Sequence, residues 1–122
     1  MFAAFLTMAL AAIQAPQPQA APGFLIGKDL LARCMAPAQG QDYCYGYIAA
    51  VYDSVRAYEA WLSIREMCVP QGTVQGELRK TVVDYLAANP QHLEGQAASV
   101  VVIALAKTYP CPGGPAPAKP TP

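Results

Sequence analysis

Apolar residues along the middle of the chain recur at three- and four-residue intervals, the spacing of one helical face rather than of a strand. Cys44, Tyr47, Ile48, Val51 and Val55 make the clearest stripe, and it predicts a helix from about Asp42 that continues as far as Trp61. A shorter helix is expected from Lys28 to about Met35. Gly27 stands at its cap, Asp29 sits in the first turn where the helix dipole favours a negative charge, and Leu30 and Leu31 are apolar. Pro70, Gly72 and Thr73 interrupt the pattern. Thr73 then reads as the N-cap of a third helix carrying Val74, Leu78, Val82, Tyr85 and Leu86, which Asn89-Pro90 stops because a residue before proline is pushed out of the α region. The run Val100-Val101-Val102-Ile103 is β-branched and by itself suggests a strand. Its flanking alanines and the stripe Ala97, Val101, Leu105 predict instead a buried helix from about Gly95 to Tyr109. The fold class is therefore all-α, a small bundle of about four helices.

Cysteine placement changes that picture from a bundle to a stapled one. Cys34, Cys44, Cys68 and Cys111 form an even set in a short chain behind an apolar leader, which reads as a disulfide framework in an oxidising compartment. Composition alone leaves all pairings open, but the helix order constrains them. Cys34 ends the first helix and Cys44 opens the second, while Cys68 precedes the third and Cys111 follows the fourth. Hairpins of these helix pairs predict Cys34–Cys44 and Cys68–Cys111. A zinc site of four thiolates is the weaker reading, since no C-x-x-C pair is present.

The ends differ from the middle. Phe2 to Ile13 is apolar except for Thr7, too short to span a bilayer and suited to a signal-peptide core. Residues 1–20 are expected to be a signal peptide, with Ala15 or Ala20 before the cut. The first basic residue is Lys28, so a retained anchor, or a misassigned start codon that clips a basic n-region, is the alternative. Residues 21–111 form the domain, and 112–122 a disordered proline-rich tail in which proline removes backbone donors. A periplasmic protein with no membrane segment after cleavage follows.

Charge narrows the partners. Eight basic and eight acidic residues leave a net charge of zero, with no basic stripe, which argues against nucleic acid. Only 13% of residues are charged, a surface poorly protected against association. A protein partner is expected, and a homodimer is left open. The carboxylates show no metal-like or paired catalytic spacing, and Asp29 with Arg33 has the spacing of an ordinary surface pair. No glycine-rich phosphate loop exists, and no cofactor is expected. His92, the single histidine, lies in the polar loop Asn89–Glu94 without an evident nucleophile, so a small hydrolase is the last-ranked reading.

Tyrosines crowd the second helix at Tyr43, Tyr45, Tyr47 and Tyr52, followed by Tyr58 and Trp61. Tyr45 and Tyr52 share a helix face beside the Ile48 stripe and are candidate interface residues, because tyrosine buries area while keeping a polar tip. Completion of a small core is the competing role. Pro90, Gln91 and His92 are the candidate contact element of the loop.

Several segments in order resemble the Rap/Tai family of type VI secretion immunity proteins: Gly27 through Cys34, Cys44-Tyr45-Gly46-Tyr47-Ile48 with Asp53, Cys68-Val69-Pro70, Val82 through Pro90, and Ala97 through Cys111. Ala50 stands where the family often has glycine, and the proline tail is additional. The resemblance implies an exported, all-helical, often dimeric protein that binds and occludes a peptidoglycan amidase toxin and has no catalytic residue of its own. An orphan periplasmic binding or chaperone-like helical module is the alternative.

Overall fold

A computed structural model describes residues 23–113. The expected leader lies outside them, as does the expected tail beyond Gly113. Four α-helices make up the body: α1 (Gly27–Cys34), α2 (Asp42–Leu62), α3 (Gln75–Ala88) and α4 (Ala97–Thr108), with short 3₁₀ turns at Ala38–Gly40 and Pro90–His92. Among the described residues the only β pairing is one isolated bridge between Ile26 and Gln96, so the all-α expectation is met. No helix in this region is long and apolar enough to cross a membrane.

α4 is the central element. Ala97, Val100, Val101, Ala104 and Leu105 are all buried, and the helix packs on each of the other three. Its β-branched run adopts a helix because it is wrapped by neighbours on most sides, and burial outweighs the small propensity cost of valine. Around it lie Leu30 and Cys34 from α1, Cys44 and Ile48 from α2, and Leu78, Val82 and Leu86 from α3, with Leu25 and Met67 closing the ends. On α2 the remaining stripe residues Tyr47, Val51 and Val55 are partly buried against this core. Ala50 is exposed, so its methyl group meets solvent rather than a packed helix.

Three local expectations are corrected. Thr73 does not cap α3: its hydroxyl donates to the Pro70 carbonyl at 2.8 Å, inside a turn that Gly72 makes with φ of +90°. Val74 takes the extended N-cap conformation instead, and Glu77, three residues on, accepts from its backbone N–H at 3.3 Å. Val74 itself is 60% exposed and lies off the apolar stripe assigned to it. Nor does Arg33 pair with Asp29; its guanidinium lies 4.0 Å from the centroid of the Tyr43 ring, a cation–π contact.

A contact between distant segments fixes the N-terminal approach. Ala97 N–H donates to the Leu25 carbonyl, Gly27 N–H to that of Gly95, and Lys28 N–H to that of Leu93, all within 2.9 Å. The chain entering α1 is thereby laced to the loop that leads into α4. Gly27 permits this approach, since a Cβ there would stand 2.6 Å from the His92 carbonyl oxygen.

Candidate partner-binding surface

The staples fall as the helix order requires. Cys34 is bonded to Cys44, and Cys68 to Cys111, and the described residues include no free cysteine. The first bridge is fully buried between α1 and α2. The second ties the loop after α2 to the chain leaving α4, beside a backbone bond from Cys68 N–H to the Tyr109 carbonyl at 2.8 Å. Arg79 of α3 also donates to the Cys34 carbonyl, at 3.1 Å from Nε, which satisfies an orphan acceptor at the end of α1.

The tyrosines of α2 divide by environment. Tyr43 and Tyr47 stack with centroids 6.2 Å apart; Tyr47 packs against the core, while Tyr43 stays 46% exposed. Burial raises the Tyr47 phenol above its ordinary value of 10.0, the Tyr43 ring adds to the rise, and a backbone hydrogen bond from Ala98 opposes it. Tyr45 is half-buried at the start of the helix. Tyr52 packs against the core and lines a cleft of about 510 Å³ with Arg56, Arg65, Pro70 and Gly72.

At the far end of α2, Tyr58, Trp61 and Leu62 are 61%, 77% and 52% exposed. The Tyr58 and Trp61 rings lie 5.8 Å apart and tilted. Beside them runs an apolar groove of about 270 Å³, lined by Val55, Tyr58, Ile64 and Val102 with Glu59 and Glu66 at its edge. The helix ends at Ser63 in the left-handed conformation, φ 54°, which turns the chain back under this ridge.

Glu59 holds the site together. It is the one buried charged residue among those described, at 4% exposure. Its carboxylate accepts the backbone N–H of Glu66 at 2.7 Å and of Met67 at 3.2 Å, and pairs with Arg56. The loop 64–67, which carries Arg65, is pinned to α2 by these bonds. The sequence did contain a signal for this. Extending the apolar stripe from Val55 by four residues lands on Glu59, and a carboxylate at an apolar position needs internal donors.

The Pro90–His92 turn is a separate surface. Pro90 and Gln91 are exposed, while His92 meets the Tyr85 ring edge-on at 5.5 Å and its carbonyl accepts from Gly95. This turn follows the C-terminal end of α3, whereas the Tyr52 cleft includes Leu78 near its start. About 20 Å of helix separates the ends, at 1.5 Å per residue. The structure thus does not unite Tyr52 with the loop candidates.

A compact helical body, closed by two disulfides and presenting an aromatic ridge beside an arginine-lined cleft, has the attributes of a protein that docks on another protein. Residues 26–111 match the family model of the Rap1a immunity proteins, and the chain belongs to that family. It is accordingly an immunity protein of the type VI effector class, whose partner is a protein effector. No curated protein and no solved structure matches the chain.

Proposed function

We propose that this chain is a periplasmic immunity protein that neutralises a peptidoglycan amidase effector by occluding its active site, without turnover of its own. The family match carries the reading, because it spans the whole stapled body and all four bridged cysteines. Disulfides and an apolar leader support an exported destination, since such bridges persist in oxidising compartments. The ridge of Tyr58, Trp61 and Leu62 is favoured over the Pro90–His92 turn as the main contact. The ridge leaves large rings to solvent, whereas His92 and its carbonyl are already engaged internally.

Hydrolysis of peptidoglycan by a secreted amidase effector, taken from the neighbouring gene if one is encoded there, measured with and without the purified chain, tests the reading. Stoichiometric inhibition is expected, with Trp61→Ala weakening it about tenfold or more. Undiminished hydrolysis with excess chain present would remove the amidase assignment. Suppression of aggregation of unrelated unfolded proteins would instead favour a chaperone-like module, for which the exposed ridge would also serve.

A further inference from the structure

Arg65 stands apart from the other cations. Lys28 pairs with Glu94, Lys80 with Asp84 and Arg56 with Glu59, while Arg79 donates to the Cys34 carbonyl. Arg33 and Lys107 lie over the rings of Tyr43 and Tyr85. Among the described cationic side chains Arg65 alone has no ion pair, hydrogen bond or ring contact, and it lines the cleft with Tyr52, Arg56 and the Gly72–Thr73 turn. The backbone that carries this exposed side chain is fixed, because the next two backbone N–H groups are bound to the buried Glu59.

We infer that this cleft is a carboxylate-binding site that receives an acidic side chain, aspartate or glutamate, of the effector protein. A free guanidinium presents a planar fork that matches a carboxylate in two parallel hydrogen bonds. The Arg56 charge is already answered by Glu59, so one carboxylate neutralises what remains at the cleft. Tyr52 of α2 also lines the cleft. A protein source is favoured because the cleft and the aromatic ridge flank the same loop: Arg65 faces one side and its neighbours Ile64 and Glu66 line the groove beside Tyr58 on the other. Aromatic rings next to an arginine are the composition of a protein-interface anchor, not of a small-anion site. The carboxylate preference follows from the cleft alone. That its bearer is an effector rests on the immunity reading.

Titration of the oxidised full chain, ¹⁵N-labelled, with N-acetylglutamate separates the two. Saturable shifts are expected at the Arg65 Nε–H and at the Gly72 and Thr73 amides, absent with N-acetylglutamine and weakened about tenfold in Arg65→Gln. Arg65→Lys should restore part of the binding, as a charge without the fork. In the second arm, Arg65→Gln should release the amidase effector that the chain inhibits about tenfold faster while melting like the parent chain. Equal shifts in Arg65→Gln, equal shifts with N-acetylglutamine, or unchanged amidase release would overturn the proposal. Tighter binding of a free peptidoglycan stem peptide than of the amidase would also overturn it, by moving the carboxylate from protein to cell wall. If N-acetylglutamate binds through Arg65 but the amidase does not bind at all, the carboxylate site stands and the amidase assignment falls.

Discussion

The carboxylate of Glu59 accepts the backbone N–H of Glu66 at 2.7 Å, seven residues along the chain and on the far side of a left-handed turn at Ser63. A side chain at the end of α2 thereby sets the path of the segment leading to Cys68, and with it the position of both Arg65 and the groove under Tyr58. One buried acid organises both faces of the candidate surface.

Glu59→Ala is expected to destabilise the fold by about 3 kcal/mol, because it strands a buried N–H at Met67 and deprives Arg56 of its partner. Glu59→Gln, which keeps an acceptor but not the charge, should lose about half of that. Denaturant titration of the oxidised proteins measures both. A loss below about 0.5 kcal/mol for the alanine variant would show that the loop is held by other means.

The Cys68–Cys111 bridge closes a separation of 43 residues, against 10 for Cys34–Cys44. Chain entropy then assigns about 4.0 and 2.8 kcal/mol respectively, comparable to the whole stability of a domain this small. The Cys68→Ala/Cys111→Ala chain should unfold at markedly lower urea concentration. In Cys34→Ala/Cys44→Ala, packing loss adds to the entropic term, since both sulfurs are buried. A double variant with an unshifted urea midpoint would contradict the entropic account.

Gly27→Ala should cost about 1–3 kcal/mol, as its methyl would meet a backbone oxygen at 2.6 Å rather than a yielding side chain. Gly46→Ala provides the contrast. It lies in α2 with nothing within 4 Å of an added Cβ, so helix propensity should raise stability by about 0.5–1 kcal/mol. Opposite shifts in thermal midpoint are the expected result, and a tolerated Gly27→Ala would mean that the lacing between residues 25–28 and 93–97 is loose.

Tyr47 imposes an alkaline limit. Its folded-state phenol titrates above the ordinary 10.0, chiefly through burial, so folding favours the protonated form. The stability this gives is fully present below about pH 10 and is lost as pH rises through the folded value. Tyr47→Phe should flatten the part of the stability profile on the alkaline side of the ordinary phenol value of 10.0, leaving the neutral region the place to measure the lost hydroxyl contact. An identical alkaline slope in both proteins would assign the effect to other groups.

How much was legible follows from the range of each interaction. Helix positions and types could be read because an apolar stripe at 3.6-residue spacing is a local pattern, and Leu78, Val82 and Leu86 do form one buried face. Threonine before a helix has two uses, cap or turn, and the Gly72 turn commits the Thr73 hydroxyl to Pro70, which no local pattern shows. The Tyr45–Tyr52 pair was placed on one helix face, yet the tyrosine cluster hid the more exposed Tyr58 and Trp61.

Sequence by itself determined the all-helical class, the presence of a disulfide framework and the family. Each depends on residue spacing and order, which survive without coordinates. Only the tertiary structure decided which polar groups are spent and which remain for a partner. Whether Glu59 meets loop amides, whether Arg33 pairs with an acid or a ring, and whether Arg65 has any partner depend on distances between segments far apart in the chain. Those distances are set by how the helices pack, and no local pattern encodes them.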